Sequence, residues 1–155
     1  MLYSNRLQYL RERTGLTQAQ AGLLIKLDSG TYCHYEKEEL IIPIKHLNTI
    51  ANYFNVSLDY LFEFTNMSSY KSSKKKINKV LSGERLRNLR KENKITQDKL
   101  AKILNVSRST IAEYERGTNL IATPFLYTIC KKYNISADYL LGKIDEPINI
   151  SNKKL

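Results

Sequence analysis

Histidine and cysteine are nearly missing from this chain of 155 residues, which has two of each and no tryptophan. Cys33 and Cys130 lie in different segments and form no metal-type pair. His34 and His46 are the only imidazoles, so a zinc site or a His-dependent triad has little to be built from. Cys33 and His34 are sequence neighbours. On a helix they point about 100° apart, away from a common substrate. Glycine-rich phosphate loops and paired-carboxylate pockets are also missing. Together these absences exclude the common enzyme classes, and no metal or cofactor is expected. No apolar run approaches the roughly 18 residues of a membrane span. The stretch Met1-Leu2-Tyr3-Ser4-Asn5-Arg6 lacks the layout of a secretory signal. A reducing cytoplasm is the expected location.

What the chain has in excess is positive charge. Twenty-five Lys and Arg stand against fifteen Asp and Glu, a formal +10, and 42% of residues are hydrophobic. A chain of that composition can bury a core. Its charge favours a polyanionic partner, nucleic acid before an acidic membrane surface. The Lys-rich stretch lacks the adjacent apolar face or lipidation motif that membrane attachment needs, so no membrane is expected among the partners.

The sequence repeats itself. Shifted by 79 residues, the halves align without a gap, and about 18 of 57 positions are identical. Chance gives roughly three or four at ordinary residue frequencies. Arg6-Leu7 falls on Arg85-Leu86, Leu10-Arg11 on Leu89-Arg90, Thr17-Gln18 on Thr96-Gln97, and Tyr35-Glu36 on Tyr114-Glu115. Further on, Ser57 meets Ser136, and Asp59-Tyr60-Leu61 meets Asp138-Tyr139-Leu140. Each half is one copy of a unit of about 60 residues. The expected division is 1–66 for the first domain and 67–82 for a flexible Lys/Ser-rich linker. The second domain follows over 83–142, with a loosely packed tail over 143–155.

Within the second copy, Leu86, Leu89 and the stem of Arg90 predict a helix over roughly 83–92. Thr96 has N-cap chemistry, with Asp98 in the first turn. Leu100, Ala101, Ile103 and Leu104 supply the buried face of a second helix. Ser107 caps a third, carrying Ile111, Tyr114 and Glu115 on one side and ending at Gly117. Thr123-Pro124 reads as an N-cap followed by proline at the first helical position. It opens a fourth helix, and Ser136 caps a short fifth. The short connection between helices two and three predicts a helix-turn-helix.

Three stretches carry a family resemblance. They run from Arg85 to Arg90, from Ile95 to Ala101, and from Val106 through Arg108 and Glu115 to Gly117. With the closing Asn134-Ile135-Ser136-Ala137-Asp138-Tyr139-Leu140-Leu141-Gly142 they resemble the Cro/repressor-type (Xre) helix-turn-helix family over 83–142. The first copy resembles it, with more departures, over 4–62. The resemblance implies an all-α protein made of two lambda-repressor-like five-helix domains that bind double-stranded DNA. It places Thr96 and Gln97, and Gln18 in the first copy, at a helix start against phosphate, where free N–H groups and the dipole suit an anion. It places Ser107, Arg108, Ser109, Thr110 and Glu113 against base edges. Arg108 suits guanine O6 and N7 bidentately, and Glu113 suits cytosine N4. The resemblance also implies structural ion pairs between Arg90 and Glu115 and between Arg11 and Glu36. Tyr35, Tyr114, Tyr60 and Tyr139 are read as core.

The copies differ in charge. Residues 1–66 carry six basic and seven acidic side chains, residues 67–82 five lysines, and residues 83–155 fourteen basic and eight acidic. The electrostatic term of DNA affinity is therefore expected in the linker and second copy. The first copy has Ser29 where Arg108 stands, starts its third helix with Asp28, and has Glu38 in place of Gly117. Ser29, Thr31 and Tyr32 are its candidate DNA contacts. The apolar Leu40-Ile41-Ile42-Pro43-Ile44 reads as extra core or as a partner surface.

Two functions fit. In one, the chain is a transcriptional regulator, a repressor by default, with the second copy as main reader and the first on an adjacent half-site. Sixteen flexible residues span roughly 20–25 Å with a limit near 55 Å, against about 34 Å between half-sites. In the other, the first copy is an antitoxin-like module for dimerisation or for a protein regulator, and only the second binds DNA.

Overall fold

The computed structural model describes residues 3–150, which fold into ten α-helices and, among those residues, no strand. The first five are α1 (Ser4–Arg13), α2 (Gln18–Leu24), α3 (Ser29–Glu36), α4 (Ile44–Tyr53) and α5 (Leu58–Leu61). Their counterparts are α6 (Lys79–Glu92), α7 (Gln97–Leu104), α8 (Arg108–Arg116), α9 (Thr123–Tyr133) and α10 (Ala137–Leu140). Short polar residues set most helix starts. Thr17, Asp28, Ser57, Thr96, Ser107 and Ser136 each accept a backbone N–H three residues on, satisfying one of the donors that a helix start leaves open. Left-handed residues end α7 at Asn105 and α8 at Gly117, the latter at φ 74°. Leu7, Tyr32, Leu47 and Leu58 fill the core of one unit, and Leu86, Ile111, Leu126 and Leu140 that of the other.

Helix α6 begins at Lys79, four residues before the predicted start, because the Asn78 side chain caps it at the Leu81 N–H. The expected start of this helix falls at Gly83. Gly83 instead lies inside α6 where it crosses α8, and a Cβ there would sit 2.5 Å from the carbonyl oxygens of Tyr114 and Glu115. Only glycine lets the two backbones approach so closely.

Thr123 differs from its predicted role. Ala122 is the cap position, and Thr123 is buried, its hydroxyl donating 2.6 Å to the Ile42 carbonyl of the other unit. A capping hydroxyl and a cross-unit donor look alike in sequence.

Residues 143–150 are tied down. Ser136 N–H donates to the Ile148 carbonyl, Arg85 to that of Ile144, and Lys143 and Ile144 are buried. The rest of the tail, 151–155, lies outside the described residues. The segment between the units also has fixed partners. The Asn48 and Asn52 amides donate to the Lys75 carbonyl, and Lys74 N–H donates 2.7 Å to that of Lys143.

The two units meet at α5 and α10, N-terminus against N-terminus. Asp138 accepts the N–H groups of Leu58 and Asp59 at 3.0 and 2.8 Å. Asp59 accepts the Ala137 N–H at 2.7 Å, the Tyr70 hydroxyl at 2.8 Å and the Ser136 hydroxyl. Both carboxylates are fully buried. Beside them Phe62 and Phe64 pack on Tyr127, the second pair stacked with ring centroids 5.2 Å apart. No acid–acid pairing across units is legible in sequence, where Asp59 and Asp138 read as first-turn residues of two short helices.

Candidate nucleic-acid interface

Helices α7 and α8 are joined by Asn105, Val106 and Ser107. The left-handed Asn105 turns the chain, and Ser107 restarts it. This sets the N-terminal end of α8 free of the core, with Ser107, Arg108 and Ser109 exposed, and with Thr110 and Glu113 half-buried. The Ser107 hydroxyl lies 2.9 Å from those of Ser109 and Thr110. Glu113 accepts from the Asn119 amide at 2.8 Å. Arg108 reaches back towards the start of α7, its Nε 3.4 Å from Gln97 Oε1 and its Nη1 3.9 Å from Asp98. Both charges are mostly solvated, so this pairing is weak and leaves the guanidinium available.

Behind that end lies the Arg90–Glu115 pair. Arg90 Nε and Nη2 donate to Glu115 Oε1 at 3.0 and 2.9 Å, and its Nη1 donates 3.0 Å to the Ile95 carbonyl. One guanidinium thus ties α6 to α8 and to the turn that launches α7. Gln97 Nε2 donates 2.7 Å to Glu115 Oε2. An amide nitrogen carries two N–H donors, so Gln97 can hold Glu115 with one and offer the other outward. A chain of contacts therefore runs from the buried ion pair through Gln97 to Arg108. Thr96, the cap of α7, is exposed beside them.

The first unit repeats this frame around a different surface. Arg11 Nη2 donates 3.1 Å to Glu36 Oε2, its Nη1 donates 3.0 Å to the Leu16 carbonyl, and Gln18 donates 3.1 Å to Glu36. The bond to Glu36 holds the Arg11 guanidinium above its ordinary value, against burial, which lowers it. At the start of α3, Asp28 accepts both the N–H and the hydroxyl of Thr31. Those bonds hold its carboxyl below the usual range, so it stays charged where a phosphate would approach. Ser29 is exposed and Thr31 half-buried.

Tyr32 is a correction to the expected DNA contacts. It is fully buried, and burial followed by the nearby Glu36 charge pushes its hydroxyl well up. The 79-residue register puts Tyr32 on Ile111, the centre of the second core.

Each half of the chain matches a family model. Residues 83–146 match one described as a helix-turn-helix domain, and residues 7–61 match one described as helix-turn-helix. Both units are helix-turn-helix domains.

Several bacterial proteins are similar over one domain's length. The antitoxin PezA of Streptococcus pneumoniae serotype 4 is 34% identical over 67 residues, which are 43% of this chain and 42% of that protein. The Bacillus subtilis HTH-type transcriptional regulators YobD and ImmR are 34% and 38% identical over 64 and 61 residues. Those stretches are 41% and 39% of this chain, and 57% and 48% of the two relatives. The chain thus covers about half the length of each. Their names describe regulators and an antitoxin, and none an enzyme. Among the described residues no cluster of His, Cys, Asp and Glu could hold a metal ion, and no helix is long and apolar enough to cross a membrane.

Two further arginines, Arg6 and Arg85, hold the helix-turn-helix frames. Arg6 donates to the Tyr60 and Thr65 carbonyls, and its guanidinium lies 4.1 Å from the centre of the Tyr60 ring. Arg85 repeats this with Tyr139, Ile144 and a ring distance of 4.0 Å. Tyr60 and Tyr139 are therefore half-buried platforms under cations, while Tyr35 and Tyr114 are buried as expected. The arginines are legible only as repeat positions, since their partners lie more than fifty residues away.

The apolar strip of the first domain splits. Ile42 and Ile44 are buried, whereas Leu40 and Ile41 are about half exposed.

Proposed function

We propose that this chain is a sequence-specific DNA-binding transcriptional regulator, acting as a repressor, with α8 as its main reading helix. In this reading the domains are lambda-repressor-like units of the Xre type, and the Lys/Ser-rich stretch within 67–82 lies close to the phosphate backbone. The observation that carries it is the projecting N-terminal end of α8. There Arg108, Ser107 and Ser109 are exposed on a helix braced by a buried ion pair, in the more basic half of the chain. Ser107, Arg108, Ser109, Thr110 and Glu113 face base edges in this proposal, and Thr96, Gln97 and Gln18 face phosphate. Ser29 and Thr31 contact DNA from the first domain.

Arg108→Ala tests the assignment. It is expected to reduce discrimination between a selected site and its scrambled version by about 1–3 kcal/mol, measured as the ratio of the two dissociation constants. An unchanged ratio would move the reading role away from α8.

Affinity should also fall steeply with salt. Replacing Lys74, Lys75 and Lys76 with glutamine should flatten the slope of log K against log salt by about 0.9 for each lysine that neutralises a phosphate. Lys74 also faces Asp145, 3.1 Å away on an exposed surface, so its share should be the smallest. A slope indifferent to all three would remove the segment from the interface.

A second reading has one observation in its favour. The third helix of the first domain begins with a fixed negative charge at Asp28, and Leu40 and Ile41 stand exposed beyond its end. That surface suits a protein partner, a second copy or an antitoxin-type target, better than it suits phosphate. DNA retention by residues 1–66 alone would count against this division of labour.

A further inference from the structure

The contacts between the two domains have a property that tandem repeats need not have: they are exchanged between equivalent residues. The repeat maps Leu58 onto Ala137 and Asp59 onto Asp138. Asp138 accepts from the N–H of Leu58, and Asp59 accepts from the N–H of Ala137. The apolar groove at the other end of the junction is walled by residues within 41–45 on one side and 120–125 on the other, again equivalent segments. A third contact falls close to the same relation without repeating it residue for residue. Phe64 stacks on Tyr127, and the map takes these to Lys143 and Asn48. Lys143 does pack there, its Nζ 3.2 Å from Oδ1 of Asn52, one helical turn from Asn48.

When residue i of one copy touches j of the other, and j of the first touches i of the second, the copies are related by a two-fold axis. Copies related by translation would touch through two different patches. The covalent tandem is therefore built like a symmetric dimer with its subunits fused. Two-fold related helix-turn-helix units read inverted half-sites, because the symmetry of the site mirrors that of the protein.

The halves of this pseudo-dimer read differently. Arg108, Ser109 and Glu113 of α8 stand where α3 has Ser29, Gly30 and His34. Buried carboxylates, a cross-unit hydroxyl and an aromatic stack fix one domain against the other. We infer that a single chain occupies an operator of two inverted, unequal half-sites at one fixed spacing. The operator is thus a deliberately imperfect palindrome that sets the direction in which the protein lies. This inference rests on the DNA-binding reading above and adds stoichiometry, half-site orientation and polarity to it.

The test uses the full chain. Sites are selected from random duplex DNA, and the mass of the complex is measured on the best of them. The two recovered half-sites are then re-synthesised in inverted and in direct order, and with five base pairs added between them. The expected result is one chain per site and inverted half-sites of unequal sequence. Affinity should be at least about a hundredfold lower for the direct or lengthened arrangement, the scale of gain that linking two readers supplies. Direct repeats, two chains on one site, or indifference to the added base pairs would overturn the inference. So would a selected site with a single half, although that result would leave DNA reading by α8 standing. Failure to enrich any sequence would overturn the DNA-reading proposal itself, and this inference with it.

Discussion

Replacing Glu115 with alanine is expected to lower the stability of the second domain by about 3–5 kcal/mol, the usual cost of stranding one member of a buried ion pair. The Glu115 side chain has no solvent exposure, and that of Arg90 is 13% exposed. The carboxylate accepts from Arg90 through two nitrogens and from Gln97, with Arg87 3.7 Å away. Its removal leaves the Arg90 guanidinium desolvated, with only the Ile95 carbonyl for company. Replacing both residues, for example by Arg90→Met with Glu115→Leu, should cost far less than the sum of the single changes, because no charge is left unpaired. Urea unfolding of the four proteins gives the coupling directly. A loss below about 1 kcal/mol for Glu115→Ala would mean that Arg90 finds solvent when its partner goes. Where Glu115→Ala still folds, Gln97 loses its anchor, so affinity for the selected and the scrambled site should weaken alike.

The frame around this pair was legible through the family resemblance, and both of its members recur in the 79-residue register. The helix order was legible too, since Thr96, Ser107 and Ser136 are cap residues placed before apolar periods. Gly83 is expected at the start of a helix and lies inside one. Its meaning lies in the carbonyls of α8, more than thirty residues away, and no local pattern carries that. Tyr32 failed for a different reason. The register pairs it with Ile111, a core residue of the second domain. The contact between the two domains stayed out of reach altogether. Asp59 and Asp138 each sit in the first turn of a four-residue helix, where an acidic side chain ordinarily serves its own helix dipole. Here each carboxylate instead serves the helix of the other domain. What the sequence does contain is the near-identity of the two motifs, Ser57-Leu58-Asp59-Tyr60-Leu61 and Ser136-Ala137-Asp138-Tyr139-Leu140, which differ only at Leu58 and Ala137. Retention of the acidic residue in both short segments marks an interface once the fold is known.

The junction between the domains should weaken as pH rises from the ordinary carboxylate range towards neutrality. Burial, then the facing Asp138 carboxylate, push the Asp59 carboxyl up to about 8, and the Ser136 and Tyr70 hydrogen bonds pull it only partly back. In the unfolded chain the same group titrates near 4. Between these values the folded protein holds a proton that the unfolded protein releases, so stability falls as pH rises through the window and levels off above it. The slope approaches one proton, about one to two kcal/mol per pH unit. Lys143, held below its ordinary value by burial, works in the opposite sense. The buried Cys130 thiol and the Tyr70 hydroxyl are both pushed up, so neither titrates below pH 8. Asp59→Asn removes the titration while keeping an oxygen to accept the Ala137 N–H. Its amide can also donate to the Tyr70 and Ser136 hydroxyls, which rotate to accept. Urea midpoints measured between pH 5 and 8 should therefore fall for the native chain and stay nearly level for the variant, with the curves crossing as the native carboxylate ionises. Parallel curves would show that the carboxylates share the junction as a charged pair, relieved by Lys143 and the helix starts. The pH dependence would then have to come from elsewhere in the fold.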